Sequence, residues 1–184
     1  IPMLENAGAV VFTPRERDWQ RNEVIVDNDG AGSYQEVKSR KGKWKTTSTP
    51  GFALKRNIYV DGQNPFTEGT ARYAHTEKKA EKAFAQWIPT IPETGKYAVY
   101  VSYQSLPESV TDAKYLVFHK GGVTEFLVNQ QIGGGTWVYL GSFEFDKGYN
   151  DYGMVVLSNQ SKQKGVVCAD AVRFGGGMGN IARG

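Results

Sequence analysis

Through the C-terminal half of the chain, hydrophobic and polar positions alternate every second residue. In KYAVYVSY the side chains of Tyr97, Val99 and Val101 fall on one face, and those of Ala98 and Ser102 fall on the other. This period of two is that of a β-strand with one buried face, because successive side chains of a strand point to opposite sides. Five more runs show it: AKYLVFHK, GVTEFLVNQ, TWVYLGSFEF, YGMVVLSN and VVCADAVRF. The pattern predicts six strands and places near the core Tyr97, Val99, Val101, Val117, Val128, Leu140 and Val156.

Turn-forming residues separate these runs, at Pro107-Glu108, Lys120 to Gly122, Gly133 to Gly135, Asp146 to Gly148 and Ser161 to Gly165. Strands at this regular spacing, with no helical pattern between them, predict an all-β fold built as an antiparallel sandwich or barrel. Two twisted sheets packed face to face would bury the alternate side chains.

The N-terminal half is less regular. NEVIVDND predicts a strand that ends in a turn, and GFALKRNIYVDG predicts one or two short strands. TEKKAEKAFAQWIP favours a helix by composition, but its last part, AFAQWIP, fits a strand, which we prefer because a sheet usually overrides weak propensity. Residues 1–22 combine a helix end, the strand AVVFT and a polar connector, so we expect a short α/β-like leader there.

Two glycine triplets, Gly133 to Gly135 and Gly175 to Gly177, raise the question of a phosphate site. A P-loop needs Lys and Ser or Thr directly after its glycines, at the start of a helix. The first triplet runs instead into a strand, and the sequence ends nine residues after Gly175. We therefore expect both triplets to form turns, for which glycine has the necessary conformational freedom.

The charge distribution does not favour nucleic acid as a partner. The net charge is +3 and the lysines and arginines are scattered rather than clustered on one predicted face. No apolar run is long enough for a membrane span. The single cysteine, Cys168, lies in an apolar run and is expected to be a buried, inert thiol.

The sequence contains no pattern that predicts catalysis or a cofactor. The two histidines, His75 and His119, lie far apart, and no nucleophile motif accompanies them. Zinc needs three or four ligands with suitable spacing, which these residues do not supply. Asp27 and Asp29 resemble the start of a calcium loop, although the rest of that motif is missing and an ordinary Asx turn is the alternative. Asp170 lies mid-strand on the predicted interior face, so we expect a structural role for it.

Aromatic residues in polar surroundings suggest a sugar-binding surface. Sugars stack their apolar C–H faces on aromatic rings and need polar partners for their hydroxyls. Trp44 and Tyr73, with His75 close to the latter, are the main candidates, and Tyr34, Tyr59 and Trp19 are further ones. Partly buried packing residues are the alternative at each position. Trp87 and Trp137 lie beside apolar neighbours and are expected in the core.

A combination of short motifs then identifies a family. They are Val26-Asp27-Asn28, Gly42-x-Trp44, Trp87-x-Pro89-x-x-Pro92-x-x-Gly95-x-Tyr97, Tyr115-x-Val117-x-His119-x-Gly121-Gly122, Val128-Asn129-Gln130, Thr136-Trp137-x-x-Leu140-Gly141 and Ala169-Asp170-Ala171-Val172-Arg173-Phe174. With them the chain resembles the golvesin C-terminal-like domain, the carbohydrate-binding-like domain of xanthan lyases. The resemblance implies an antiparallel jelly-roll-like β-sandwich attached to secreted bacterial enzymes, with sugar binding as its role. It transfers no binding residues.

The leader carries a second resemblance. Ala7-Gly8-Ala9-Val10-Val11-x-Thr13-x-Arg15-x-x-Asp18 is similar to a piece of a zinc-dependent N-acetylmuramoyl-L-alanine amidase. We therefore expect an amidase-like edge and connector at residues 1–22, a β-sandwich accessory domain at 23–177 and a linker at 178–184.

Three functions remain open from the sequence. The first is a non-catalytic accessory domain of a secreted, periplasmic or cell-surface enzyme that binds polysaccharide or peptidoglycan. The second is a structural or protein-interaction module that positions a neighbouring amidase or lyase domain of the same chain. In the third, His119 or Asp170 reaches into a neighbouring active site.

Overall fold

The computed structural model describes residues 22–29, 33–38, 43–48, 50–51 and 69–176. These residues form fourteen strands and no helix, which confirms the predicted all-β class. The strands are β1 (Glu23–Asp27), β2 (Tyr34–Lys38), β3 (Lys45–Thr46), β4 (Arg72–His75), β5 (Ala83–Trp87), β6 (Thr90–Ile91), β7 (Gly95–Val101), β8 (Ala113–His119), β9 (Gly122–Val128), β10 (Val138–Phe145), β11 (Gly148–Tyr149), β12 (Met154–Ser158), β13 (Val166–Ala169) and β14 (Ala171–Gly175).

Two main sheets form a sandwich. One has the order β1-β14-β7-β10 and the other has the order β2-β5-β12-β8-β9. A three-stranded sheet, β13-β4-β3, and the short pair β11-β6 complete the fold. All ladders between these strands are antiparallel, as predicted. AFAQWIP supplies β5, so the preference for a strand over a helix there is confirmed.

The core fills the space between the two main sheets, and its residues come from alternate positions of each strand. On β7 these are Tyr97, Val99 and Val101, as predicted. Val156 is buried too, but it lies outside this cluster. Its neighbours Val155 and Leu157 point into the cluster, so Val156 lies on the opposite side of β12, where it is buried as predicted.

The run VVCADAVRF is two strands rather than one. β13 belongs to the three-stranded sheet and β14 to the four-stranded sheet, and the chain passes between them at Asp170. The Asp170 carbonyl accepts a hydrogen bond from the Asn28 backbone N–H at 3.0 Å and another from Trp87 Nε1 at 3.2 Å. The predicted mid-strand position of Asp170 is therefore wrong, because this residue marks the change of sheet.

The glycine triplets can be compared with the structure where it describes them. Gly133 and Gly135 have φ values of 78° and 73°, which other residues rarely adopt. A Cβ on Gly134 would lie 2.4 Å from the backbone nitrogen of Ser105, so only glycine fits there. Gly175 has a φ of 81° at the end of β14. The first triplet therefore forms a turn, as predicted, whereas Gly175 is the last residue of a strand and Gly177 lies outside the described residues.

Several predictions fall on residues 1–21, 52–68 and 177–184, which lie outside the described residues. They include the leader, the strands expected in GFALKRNIYVDG, the linker, and the aromatic candidates Trp19 and Tyr59. No helix capable of crossing a membrane is found in the part of the chain that the structure describes.

Candidate binding groove

A groove of about 600 Å³ runs along the three-stranded sheet. Strands β3 and β4 form its floor with Val166 of β13, and a loop after β7 forms one wall. The lining residues are Thr46, Thr47, Ser48, Tyr73, His75, Leu106, Pro107, Glu108 and Val166. We call it the tyrosine–histidine groove.

Tyr73 and His75 lie side by side in this groove. They are two residues apart on β4, so their side chains leave the strand on the same face. Their ring centroids are 6.1 Å apart, with the rings edge to face at 79°. Tyr73 is half-buried and His75 is exposed. The structure thus brings together two of the residues that the sequence suggested for sugar binding.

The backbone beneath the two rings is held firmly. Tyr73 pairs with Cys168, and His75 pairs with Val166, both across the β4–β13 ladder. The His75 carbonyl also accepts a hydrogen bond from Asn159 Nδ2 at 3.0 Å. A ligand would therefore meet rings on a supported strand, which limits the entropy lost on binding.

Polar groups stand on both sides of the rings. The hydroxyl-bearing residues Thr46, Thr47 and Ser48 lie on one side, and the exposed Glu108 lies on the other. Thr46 Oγ1 accepts a hydrogen bond from Arg72 Nη1 at 2.7 Å. Thr46 pairs with Arg72 across the β3–β4 ladder, so its hydroxyl lies on the face of the sheet opposite Tyr73 and His75.

Arg72 forms an ion pair with Glu36 that the sequence analysis did not predict. Its Nε and Nη2 atoms donate to the two carboxylate oxygens of Glu36, each at 2.8 Å. This two-pronged bond to Glu36 raises the pKa of Arg72. The Tyr34 hydroxyl donates to the same carboxylate at 2.8 Å, and the Tyr34 ring packs against Trp87 with centroids 5.5 Å apart. Tyr34 is therefore a packing residue rather than a sugar platform.

Trp44 does not lie in the groove. It is 7% exposed and belongs to the core cluster, so its predicted role as an exposed stacking surface is wrong. Its neighbours Lys43 and Lys45 are exposed, which explains the polar surroundings in the sequence. The alternation of the chain turns the Trp44 ring inward between them.

The other predicted tryptophans contribute to packing in different degrees. Trp87 is fully buried, as expected. Trp137 is only half-buried and precedes β10, so its placement within a core strand is wrong. The Arg173 guanidinium lies 4.9 Å from the Trp137 ring centroid and 4.2 Å from that of Tyr100. Trp137 therefore packs against a cation rather than against the core.

Three groups outside the groove that could do chemistry, His119, Cys168 and Asp170, are buried or held in structural contacts. His119 Nε2 contacts Thr124 Oγ1 at 2.9 Å, and its Nδ1 accepts the Gly121 N–H at 3.1 Å. The ring stacks on Phe143 with centroids 4.6 Å apart, and partial burial lowers the pKa of His119. Burial raises the pKa of the Cys168 thiol to about 12. Asp170 is fully buried, so it does not reach a neighbouring active site and that expectation is wrong.

The Asp27–Asp29 segment forms an Asx turn. Asp27 Oδ1 accepts the Asp29 N–H at 2.8 Å, and the Asp29 carboxylate accepts two hydrogen bonds from Thr70, at 2.7 and 2.6 Å. Burial, with a smaller contribution from Asp29, raises the pKa of Asp27 to about 7. Within the described ranges, no three His, Cys, Asp or Glu side chains are grouped so as to hold a metal ion.

Comparisons with known proteins agree on one family. The family model described as the golvesin C-terminal domain matches residues 24–176. A xanthan lyase of Bacillus sp. (strain GL1) is 33% identical over 154 residues, which cover 82% of this chain and 14% of that protein. The structure of a Paenibacillus xanthan lyase superposes with a TM-score of 0.61 at 27% identity, over 83% of this chain and 13% of that chain. A family 22 carbohydrate-binding module of Clostridium thermocellum aligns with a TM-score of 0.27, too low to carry an inference.

Proposed function

Because this chain belongs to the golvesin C-terminal domain family, we propose that it is a non-catalytic accessory β-sandwich that binds glycan weakly. We further propose that its parent is a secreted or cell-surface bacterial enzyme that acts on polysaccharide. The 33% identical relative is a xanthan lyase, of which the chain spans only a small part. That share supports an accessory role beside a separate catalytic region.

One observation carries the proposal: Tyr73 and His75 lie in a groove whose other groups suit a sugar. The aromatic faces offer a surface for the apolar C–H groups of a pyranose ring. The hydroxyl of Ser48 and the carboxylate of Glu108, which line the groove, supply partners for sugar hydroxyls. This is the mixture of apolar surface and few polar groups that orients a small ligand.

The proposed binding is weak because the groove is open and contacts few sugar rings. We expect dissociation constants on the order of 0.1–1 mM, which correspond to about 4–5.5 kcal/mol. Ring stacking would supply much of this binding free energy, so the loss of one ring should raise the dissociation constant markedly.

The non-catalytic part of the proposal rests on where the reactive groups lie. The Cys168 thiol is fully buried, and both nitrogens of His119 are engaged within its own hairpin. Asp170 is fully buried. A general base or nucleophile has to reach the reacting atoms of its substrate, and none of these three groups is placed to do so.

Isothermal titration of the chain with xanthan oligosaccharides and with peptidoglycan fragments tests the proposal. Tyr73→Ala and the more exposed His75→Ala should each weaken binding by about 5- to 10-fold, as expected for a lost aromatic contact. Tyr152→Ala is the matched control, because Tyr152 is half exposed and lies outside the groove.

The outcomes separate function from site. If neither ligand gives heat at millimolar concentration, glycan binding is wrong and the structural module that positions a neighbouring domain becomes the better proposal. If a ligand binds but Tyr73→Ala behaves like Tyr152→Ala, the function stands and the groove is the wrong site. The amidase-like leader at residues 7–18 stays a prediction, which the sequence of the full-length protein would test.

A further inference from the structure

A second groove, of about 460 Å³, lies where the outer face of the five-stranded sheet meets the loop after β12. Its lining residues are Lys78, Asp112, Lys114, Glu125, Leu127, Gln160, Ser161, Lys162 and Gln163. We call it the lysine groove. None of its residues lines the tyrosine–histidine groove.

The sheet register explains why a charged and an apolar side chain meet there. On β8 the residues Ala113 and Tyr115 point into the core, so Lys114 between them points outward. Lys114 pairs with Leu127 of β9, whose side chain is 49% exposed. An apolar surface thus lies next to an ammonium group.

The positive charges of this groove are poorly neutralised. Lys114 Nζ donates to a neutral acceptor, Gln160 Oε1, at 2.9 Å. In the described part of the chain, the ammonium groups of Lys78 and Lys162 form no ion pair or hydrogen bond. Three cationic side chains therefore line one groove without a direct carboxylate partner.

The two carboxylates in the groove do not balance them. Asp112 is engaged on both oxygens, since Oδ1 accepts the Ser161 hydroxyl and Oδ2 accepts the Lys162 backbone N–H at 3.1 Å. Glu125 lies on β9 and is exposed. Three positive charges face two negative ones, and the groove has a net attraction for an anion.

We propose that the lysine groove binds a carboxylate-bearing sugar, a uronic acid residue of an acidic polysaccharide. The lysine ammonium groups would bind the sugar carboxylate as compact positive charges, and this attraction does not need one fixed orientation of the carboxylate. Gln160, whose Oε1 binds Lys114, offers its amide NH₂ group to the hydroxyls, and Leu127 offers a surface to the ring C–H groups. The assignment rests on the proposed function only in taking the ligand to be a saccharide.

The two grooves are neighbours on the same loops. Glu108 lines the tyrosine–histidine groove and Asp112, four residues later, lines the lysine groove. Thr76, which directly follows His75, donates from its hydroxyl to the Gln163 carbonyl at 2.7 Å. One polysaccharide chain would thus place one ring over Tyr73 and an acidic ring among the lysines.

The test compares an acidic with a neutral ligand of the same length. Tetragalacturonate and cellotetraose are titrated into the intact chain at low and at raised sodium chloride. Tetragalacturonate should bind more tightly at low salt and lose that advantage as salt rises, because exposed charges are screened. Lys78→Gln and Lys162→Gln should each weaken tetragalacturonate binding by about 2- to 5-fold.

Lys147→Gln is the matched control, because Lys147 is an exposed lysine in a turn away from the groove. The proposal is overturned if tetragalacturonate binds no better than cellotetraose, or if Lys147→Gln weakens it as much as the groove variants do. Equal competition by inorganic phosphate or by single-stranded DNA would make the groove a general anion site and overturn the sugar assignment. If cellotetraose fails to bind while tetragalacturonate binds in a Lys78- and Lys162-dependent way, the tyrosine–histidine groove is wrong and the lysine groove stands.

Discussion

At the residue scale, the fold buries the carboxyl group of Asp27. Asp27 is 4% exposed, and its Oδ2 has no hydrogen-bond partner within the described residues. Burial disfavours the charged form of a carboxyl group, which raises the pKa of Asp27 from 3.8 to about 7. The Asp29 N–H opposes this rise by binding the carboxylate.

The Asp27 carboxyl should make stability depend on pH. Its pKa is higher in the folded than in the unfolded state, so between pH 4 and 7 the folded chain keeps a proton that the unfolded chain releases. The stability contributed by that proton is complete below pH 4, falls as pH rises, and is lost above about pH 7. Urea midpoints measured from pH 4 to 8 should show a fall on the order of 1–4 kcal/mol in the free energy of unfolding.

Asp27→Asn is the matched variant, because the amide keeps the shape and has no charge to gain. It should remove the part of the pH slope that Asp27 causes, and the wild-type and variant curves should converge at low pH. Parallel curves over the whole range would show that the pKa of Asp27 is the same in the folded and unfolded chain.

At the scale of elements, the passage from β13 to β14 joins the three-stranded sheet to the four-stranded one. Asp170 sits at this passage, fully buried, while its carbonyl binds Asn28 and Trp87. Nearby, the fully buried Gln130 binds the Cys168 backbone through both its Oε1 and its Nε2, at 2.8 and 2.9 Å. The Gln130 side chain thus forms the two backbone hydrogen bonds that a neighbouring strand would otherwise form with Cys168 of β13.

Removing the Asp170 carboxyl should destabilise this passage. Asp170→Ala removes the contacts of a fully buried side chain, so we expect a loss of about 1–3 kcal/mol in the free energy of unfolding. Urea denaturation followed by circular dichroism measures it, with Asp151→Ala as the control, because Asp151 is exposed in a turn. An unchanged midpoint would rule out the structural role.

At the scale of the whole molecule, the sandwich offers two neighbouring grooves on supported strands and holds Cys168, His119 and Asp170 in structural positions. The chain alone should therefore hydrolyse neither peptidoglycan nor xanthan, with or without added zinc. Reducing-end assays on the purified chain measure glycosidic cleavage, with a xanthan lyase as the positive control, and the release of free amino groups measures amide cleavage of peptidoglycan. Turnover that persists through repurification and is abolished by His119→Ala or His75→Ala would contradict it.

Much of the fold was determined by the sequence itself. Alternation with a period of two is a local property of a strand, so the runs at β7, β8, β9, β10 and β12 could be predicted without knowing their partners. Turn glycines such as Gly133 and Gly135 are local too, because positive φ values exclude most other residues. Tyr73 and His75 were grouped because they are close in sequence, and the strand β4 that puts them on one face was not predicted.

Only the tertiary structure decided which faces are covered and which distant residues meet. The polar neighbours of Trp44 suggested an exposed ring, but only the packing of the folded chain shows that this ring turns into the core. The change of sheet at Asp170 depends on partners 83 residues away, such as Trp87. The lysine groove brings together residues from four separate segments between Lys78 and Gln163. A local sequence pattern cannot predict such a site, because long-range strand pairing creates it.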